Sequence, residues 1–171
     1  MAETAFQRVE TGEQIETVAQ IAAPIWHATY DPITGVSATK YMIEQFQSVP
    51  AIRRQMNEEG YEYYLMLSGG VPAGFIGLVP HKDGKMFLSK LYVADPFRKQ
   101  GLPRAAFAFI RNLCKVEGLD KIYLTVNKKN LHAIEVYKHF GFYQIDAVVT
   151  DIGSGFVMDD YILQMDVREE P

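Results

Sequence analysis

Hydrophobic residues recur with a helical period in three stretches of the N-terminal third. After a short predicted strand, FQRVE, apolar residues at positions 15, 18, 19, 22 and 25 fall on one face of a helix that we expect to end near Pro24–Trp26. Ser37 is a plausible N-cap for a second helix that runs through Phe46. The segment PAIRRQMNEEG predicts a third helix, with Pro50 near its start and Gly60 beyond its end.

The middle of the chain changes to runs of aromatic and β-branched residues. The runs YEYYLML, PAGFIGLVP and KMFLSKLYV are separated by SGG and KDG, which are typical of hairpin turns, so they predict three antiparallel strands. A helix from Pro103 to about Glu117, the strand KIYLTV and the helix LHAIEVYKHF follow, and Gly118 and Gly141 stop the two helices. The strands FYQIDAVVT and DYILQMDV flank the glycine-rich turn DIGSGF. This order of elements predicts an α/β protein with a mixed sheet.

Length and charge limit the classes of protein and of partner. A chain of 171 residues fits one domain, residues 1–171, and its net charge of -4 argues against nucleic acid as the main partner. The single cysteine, Cys114, excludes an intramolecular disulfide and a cysteine-based zinc site, and no grouping of His, Asp and Glu has metal-ligand spacing. No segment is typical of a signal peptide or of a membrane span. We therefore expect a cytoplasmic protein that binds no metal and no membrane.

The stretch DPFRKQGLPRAAFAFI gathers positive charge at the entrance of a predicted helix. A helix N-terminus exposes unpaired N–H groups and attracts anions, and a glycine lets the backbone approach a ligand closely. Here Arg98, Lys99 and Arg104 add charge around Gly101. A solvated basic turn explains the loop alone equally well, and the spacing of a nucleotide P-loop is absent.

A second motif one helix later makes the pair resemble a known family. The GNAT superfamily of acyl-CoA-dependent N-acetyltransferases has a diphosphate loop of the form [QR]-x-x-G-x-[GA], which Arg98 and Gly101 match and Pro103 breaks. The resemblance covers roughly residues 61–167, and within the family the chain looks most like bacterial polyamine (spermine/spermidine) acetyltransferases and their uncharacterised relatives, with GFVMDDYILQM as loose support. The second signature, N-x-x-N-x-x-A-x-x-x-Y with a later G-F, matches at Asn127, Asn130, Ala133, Tyr137, Gly141 and Phe142.

The resemblance implies a fold and a cofactor. The fold is a GNAT-like, mixed and mostly antiparallel seven-stranded sheet, flanked by helices, with a V-shaped splay between strands 4 and 5. The cosubstrate is acetyl-CoA: backbone groups of Leu91 and Val93 pair with pantetheine, and the amides from Lys99 to Arg104 hold the diphosphate. The residues that the resemblance assigns to the cofactor are Leu91, Tyr92, Val93, Arg98, Lys99, Gln100, Gly101, Leu102, Pro103, Arg104 and Asn130.

Pro103 is the departure from the family pattern. It removes one donor to the diphosphate, and a hydrogen bond to a charged group contributes roughly 1.5–3 kcal/mol. Proline is nevertheless favoured in the first turn of a helix, because an N–H group at that position has no acceptor within the helix. We therefore expect an anion site that keeps most of its donors, with the positive side chains offsetting the loss.

The resemblance also implies a reaction, the attack of a neutral primary amine on the thioester of acetyl-CoA. Tyr137 is the proton donor to the departing thiolate, against the alternative of a plain core tyrosine. Many members carry a glutamate base where this chain has Ser89, so we expect a bound water relay or an amine that arrives neutral. Lys90 is expected to be a solvated or pairing residue.

The acceptor is a small-molecule amine of the polyamine kind by this resemblance. The first two helices and the loop before the last strand would line its pocket, although a core role for the aromatic residues and solvation of the acids is an equal alternative. A peptide or protein amine, an amine antibiotic and a non-catalytic acyl-CoA sensor are the rival possibilities, and a homodimer is common among such enzymes. The candidate acceptor residues are Trp26, Tyr30, Phe46, Asp159 and Asp160, with Glu44 as a further acid.

Overall fold

The computed structural model describes residues 2–167, which form alternating groups of strands and helices. A single 3₁₀ turn, Asp95–Phe97, lies in the loop before the fourth helix. The elements of the described residues are β1 (Thr4–Arg8), α1 (Gly12–Thr34), α2 (Val36–Phe46), α3 (Val49–Glu58), β2 (Glu62–Ser68), β3 (Val71–Lys82), β4 (Lys85–Val93), α4 (Leu102–Glu117), β5 (Lys121–Asn127), α5 (Leu131–His139), β6 (Tyr143–Gly153) and β7 (Phe156–Asp166).

The strands form one mixed sheet in the order β1-β2-β3-β4-β5-β7-β6. Every neighbouring pair is antiparallel except β4 and β5, which are parallel and joined through α4. The predicted seven-stranded, mostly antiparallel sheet is confirmed.

The parallel pair β4–β5 separates after two residue pairs. Met86 lies opposite Ile122 and Phe87 opposite Tyr123, and no later pair joins the two strands within the described residues. The V-shaped splay that the resemblance implied is therefore present, and it opens toward the loop before α4.

A β-bulge in β4 sets which side chains face which side of the sheet. Gly77 pairs with Lys90 but Leu78 pairs with Leu88, so Ser89 is the extra residue. After the bulge, Tyr92 packs with the helices α1 to α3, whereas Leu91 packs with α4 and α5 on the opposite face. The bulge therefore aims alternate β4 side chains into two separate cores.

Two predicted helix boundaries in the N-terminal third are wrong. The helix α1 continues through Pro24 to Thr34 because Pro24 is exposed and Ile25, Trp26 and Tyr30 bury the following turns against the sheet. The N-cap of α2 is Gly35 rather than Ser37. The φ of Gly35 is 87°, which favours glycine, and its N–H donates to Asp31, so one residue ends α1 and begins α2.

Candidate active site

The splayed edge of β4 leaves backbone groups without a neighbouring strand. The Ala94 N–H donates to the Ala73 oxygen at 2.8 Å, which fixes that pair as a hydrogen-bonded one in the β3–β4 ladder. Because the groups of an antiparallel strand alternate in direction, Tyr92 also faces β3 while Leu91 and Val93 face the gap. These two residues thus present amide groups toward the opening between β4 and β5, and buried amides require partners.

The loop before α4 lies beside the same opening and leaves several backbone N–H groups unpaired. Lys99 and Gly101 both have positive φ, 62° and 78°, which turns the chain tightly into the helix. The first helical N–H with an acceptor is that of Ala105, which donates to Gly101 at 3.1 Å. Within residues 2–167, the following backbone N–H groups contact no acceptor: those of Lys99, Gln100, Gly101, Leu102 and Arg104.

Pro103 occupies the second position of α4, between two of these free donors. It removes one donor, as the sequence predicted, and five N–H groups remain. The side chains of Arg98, Lys99 and Arg104 are exposed, and Arg98 lies 3.5 Å from Asp95 in a solvent-accessible ion pair. The loop is therefore a cluster of amide donors within positive charge, which is the arrangement that binds phosphate.

A cavity of about 650 Å³ joins the splayed strands to this loop and to α1. Its walls come from β4, β5, α1, α4 and α5, so five elements converge on it. The lining residues that carry polar groups or were predicted for the site are Thr29, Tyr30, Ser89, Leu91, Tyr92, Val93, Arg98, Lys99, Pro103, Thr125, Asn130, His132 and Tyr137.

Tyr137 reaches the cavity from α5. Its ring packs edge-on against Phe107 and Phe142, at centroid distances of 6.2 and 5.6 Å, and this packing fixes its direction. Its hydroxyl has no hydrogen-bond partner among the described residues. Burial raises the pKa of Tyr137 above the ordinary value for a phenol. The site therefore holds a neutral O–H group that is free to donate to a ligand.

Tyr30 and Tyr92 form a hydroxyl pair on the cavity wall. Their oxygens are 2.7 Å apart, and Trp26 packs against both rings at 5.3 and 5.5 Å. Burial raises the pKa of Tyr30 to about 12, an effect opposed by the hydrogen bond with Tyr92 and increased by the charge of Asp160. The pair joins α1 to β4 across 62 residues of sequence, which no local pattern could reveal.

The other predicted acceptor residues do not line this cavity. Phe46 packs in the core between the sheet and α1 to α3, and Trp26 stands behind Tyr30 and Tyr92. Asp159 is exposed and pairs with Lys128 at 2.8 Å. Neither α2 nor the β6–β7 turn supplies a lining residue. Tyr41 of α2 donates instead to the backbone oxygen of Ile152, near the end of β6, at 2.6 Å.

Asp160 lies on β7 beside the cavity. Only 4% of the residue is exposed, and its carboxylate has no hydrogen bond or ion pair among residues 2–167. Burial raises the pKa of Asp160 to about 6, reinforced by Asp159 and opposed by Lys128. Although the residue is almost entirely buried, its carboxylate oxygens retain contact with solvent. A largely buried carboxylate without a protein partner is still costly, so this group needs an explanation.

Ser89 lies on the cavity wall and contacts a residue that sequence reasoning missed. The Tyr61 hydroxyl is 2.9 Å from Ser89 Oγ, so the bulge residue has a hydroxyl partner on the side away from the cavity. No sequence signal marks Tyr61, because the contact spans 28 residues and depends on the bulge.

Of the two alternatives predicted for Lys90, a solvated or a pairing residue, the solvated one is wrong. Only 5% of Lys90 is exposed, and its Nζ donates to the Phe46 oxygen at 2.8 Å, to Gln55 at 3.1 Å and to Tyr63 at 2.6 Å. Burial lowers its pKa well below the ordinary lysine value. The bulge turns this side chain under α2 and α3, where it satisfies their carbonyl and amide oxygens.

Residues 2–167 contain neither a metal-ligand cluster nor a helix that could span a membrane. No group of three or more His, Cys, Asp and Glu side chains is arranged to hold a metal ion. None of the helices in that range is both long enough and apolar enough to cross a bilayer.

Comparison with known families decides to which family the chain belongs. Residues 23–142 match the model of the acetyltransferase (GNAT) family, which is more than half of the chain. The chain belongs to the GNAT family. The resemblance inferred from the two motifs is thus confirmed, and both GNAT motifs fall inside the matched range.

Curated GNAT relatives share part of the chain. Spermine/spermidine N(1)-acetyltransferase of Bacillus subtilis is 30% identical over 63 residues, which are 36% of this chain and 41% of that protein. The probable N-acetyltransferase san of Drosophila melanogaster is 31% identical over 85 residues, 49% of this chain and 46% of that protein. The chain thus spans less than half the length of the curated relatives it matches.

The fold itself matches solved GNAT structures over nearly the whole chain. The PaiA N-acetyltransferase of Thermoplasma acidophilum, solved in complex with coenzyme A, has a TM-score of 0.79 at 19% identity. The match covers 96% of this chain and 99% of that one. At this identity the likeness establishes the GNAT fold of the chain.

Proposed function

We propose that this chain is an N-acetyltransferase that moves the acetyl group of acetyl-CoA to a primary amine of a small, polyamine-like molecule. One observation carries the proposal: the unpaired edge of β4 and the loop before α4, through Arg98, Lys99 and Pro103, line the same cavity as Tyr137. Five backbone N–H groups of that loop have no acceptor among the described residues. Family membership supplies the reaction class, and the Bacillus relative supplies the class of amine.

The residues of the cavity fit the shape and charge of acetyl-CoA. Pantetheine carries amides, and the outward groups of Leu91 and Val93 can pair with them as a neighbouring strand would. The N–H groups around Gly101 match a diphosphate, and Arg98 and Lys99 add positive charge close to it. Asn130 lines the same wall and has no side-chain hydrogen bond within the described range. We assign these residues to the cosubstrate.

Acetyl-CoA supplies an activated acyl group, and the protein supplies orientation and proton management. Holding two reactants in line contributes roughly 7–11 kcal/mol in well-oriented systems. The Tyr137 hydroxyl donates a hydrogen bond to the sulfur that departs. Because burial raises its pKa, Tyr137 stabilises the thiolate by hydrogen bonding rather than by releasing its proton fully.

The acceptor amine would enter between α1 and the β4–β5 opening. The wall there holds Tyr30 and Tyr92, whose rings attract an ammonium group, and the buried charge of Asp160 acts on both hydroxyls. The acceptor end thus favours a cation, which supports a polyamine. A non-catalytic acyl-CoA sensor is the alternative that Ser89 favours, because this chain lacks a carboxylate at that position.

Calorimetric titration with acetyl-CoA, with CoA as the comparison ligand, tests the first half of the proposal. We expect micromolar binding that weakens strongly in the double variant Arg98→Ala/Lys99→Ala. Absence of binding at millimolar ligand would overturn the assignment.

Turnover is tested next with spermidine, a short peptide and an aminoglycoside as acceptors, by following release of the CoA thiol. The proposal is supported if the wild type acetylates spermidine and the Tyr137→Phe variant does so more slowly. Turnover of the peptide alone would overturn the polyamine assignment, and binding without turnover of any amine would favour the sensor.

A further inference from the structure

The reaction requires a proton acceptor that the expected position does not provide. The attacking nitrogen must lose one proton as it becomes an amide, and Ser89 has no basic group. Ser89 contacts Tyr61, but this hydroxyl chain ends without a carboxylate among its hydrogen-bonded partners. The missing base must therefore come from another part of the cavity wall.

Asp160 is a carboxylate beside that wall. The ladder pairs it with Asn127 at the end of β5, next to the residues of β5 that line the cavity. Leu163 and Met165 pack against α4 and α5, and because side chains alternate along a strand, Asp160 faces the opposite side, where α1 lies.

The Tyr30–Tyr92 pair connects this carboxylate to the cavity. Both residues line the cavity, and their hydroxyl oxygens are 2.7 Å apart. Burial raises the pKa of each phenol, and the charge of Asp160 adds a smaller rise to both. Hydroxyl groups accept and donate at once, so a hydrogen-bonded pair can pass a proton without ionising either phenol.

We infer that the Asp160 carboxylate accepts, through the Tyr30–Tyr92 hydroxyl pair, the proton that the acceptor amine loses during acetyl transfer. This inference rests on the proposed function. The carbon–nitrogen bond forms and the carbon–sulfur bond breaks. The proton of the nitrogen moves to the Tyr30 hydroxyl, and a proton moves from the hydroxyl pair to Asp160 through one bridging water. The sulfur leaves as a thiolate held by Tyr137 and takes a proton from solvent after release, and Asp160 returns its own proton to solvent.

The charge state of Asp160 suits this role at neutral pH. Burial raises its pKa to about 6, so the group is largely ionised at pH 7.5 and still binds a proton more strongly than an ordinary aspartate does. The ionisable groups that face it are Asp159 on its own strand, Lys128 after β5, Tyr30 on α1 and Tyr92 on β4, and its β6 neighbour, Val148, carries no charge.

The test is the pH profile of kcat/KM for spermidine in the wild type and in Asp160→Asn. Only neutral amine reacts, so log kcat/KM rises with a slope of about 1 above pH 6.5 in both. Below pH 6 the wild-type slope steepens to about 2 as Asp160 is protonated, whereas Asp160→Asn keeps a slope of about 1. At pH 7.5 we expect kcat of Asp160→Asn to fall on the order of 100-fold, with partial recovery in Asp160→Glu.

Two further variants separate a proton path from a structural role. Tyr30→Phe breaks the same path, so the double variant Tyr30→Phe/Asp160→Asn should be no slower than the worse single variant. Asp146→Asn, an equal change of charge on the exposed neighbouring strand, should match the wild type. His132→Asn should keep the steepening below pH 6, which excludes the histidine on the cavity wall as its source.

The failures are distinguishable. If Asp160→Asn raises KM alone, Asp160 binds the ammonium group and the proton path is overturned. An unchanged pH profile of kcat/KM in Asp160→Asn would also overturn the proton path. An acetyl-CoA affinity for Asp160→Asn within about twofold of the wild type shows that a loss of kcat is not misfolding. Absence of amine turnover in the wild type would overturn the proposed function, and this inference with it.

Discussion

At the scale of single residues, Tyr137 concentrates the proposed chemistry in one hydroxyl. Its ring is fixed by Phe107 and Phe142, so removal of the oxygen should change the reaction without moving the ring. We expect Tyr137→Phe to lower kcat on the order of 100-fold, because the departing sulfur loses its hydrogen-bond donor. Steady-state kinetics with spermidine measure this change. A decrease in kcat of less than about twofold would show that Tyr137 takes no part in the mechanism.

Asp160 should lower the stability of the fold at neutral pH. Burial raises its pKa from the ordinary 3.8 to about 6 in the folded protein, so the folded state binds its proton more tightly than the unfolded state does. The stability contribution of this group is therefore fully present below about pH 3.8 and is lost as the pH rises through 6. About two pKa units correspond to at most roughly 3 kcal/mol at pH 8, less whatever solvent screens.

Asp160→Asn should accordingly be more stable than the wild type at pH 8 and close to it at pH 4. Urea unfolding at the two pH values measures the difference, with Asp146→Asn as the exposed comparison. A variant that gains stability while it loses turnover would mark Asp160 as a group retained for function. Equal stability at pH 8 would contradict the burial of a charged carboxylate.

At the scale of elements, the entrance of α4 shows how one proline changes an anion site. Pro103 occupies the second position of the helix, where an N–H would point toward the ligand with those of Leu102 and Arg104. We expect Pro103→Ala to tighten acetyl-CoA binding about tenfold, because one more charge-assisted hydrogen bond contributes at least roughly 1.5 kcal/mol. Calorimetric titration measures the change.

Pro50 provides the matched control for this variant. It occupies the second position of α3 after the cap Ser48, outside the cavity wall. Pro50→Ala should leave acetyl-CoA affinity unchanged, although it removes the fixed φ of proline from a helix start just as Pro103→Ala does. Weaker binding by Pro103→Ala would instead indicate that the fixed φ of proline, rather than the number of donors, sets the affinity.

The pairing of β3 with β4 depends on the absence of a side chain at Gly74. A Cβ there would lie 2.3 Å from the backbone oxygen of Tyr92 and 2.7 Å from Met66, and the backbone cannot yield without moving the β4 edge. We expect Gly74→Ala to destabilise the protein by roughly 2–4 kcal/mol and to weaken acetyl-CoA binding. Gly77→Ala is the milder comparison, because its Cβ would lie 3.3 Å from side-chain atoms of Lys90 and Tyr63, which need to move only a few tenths of an ångström.

At the scale of the whole molecule, the periodic pattern predicted the elements and the two motifs predicted the family. The strand β4 and the helix α3 lie where the runs KMFLSKLYV and PAIRRQMNEEG placed them, because alternation and end signals are local. Local signals could not give the rest. The length of α1 depends on packing of Trp26 and Tyr30 beyond an exposed Pro24, and the burial of Lys90 depends on the bulge at Ser89.

Local sequence signals also could not reveal how the hydroxyl and carboxylate groups of the site come together. Tyr30 and Tyr92 meet across 62 residues, and the depth of Asp160 follows from the strand order β5-β7-β6. The family resemblance marked Asp160 only as an acid that could attract an amine. Its isolation from every hydrogen-bond partner in residues 2–167 is a property of the assembled sheet.

The two residue pairs that join β4 to β5 leave the sheet as two sub-sheets, β1–β4 and β5–β7–β6, held together mainly by side chains. A ligand that pairs with Leu91 and Val93 would serve as the strand between them and would make their unfolding more cooperative. At a concentration of about 100 times Kd it would add roughly 2.7 kcal/mol of stability. Hydrogen exchange should locate the effect: the amides of Leu91 and Val93 should exchange fast in the free protein and slow sharply with CoA, while those of β2 stay protected throughout.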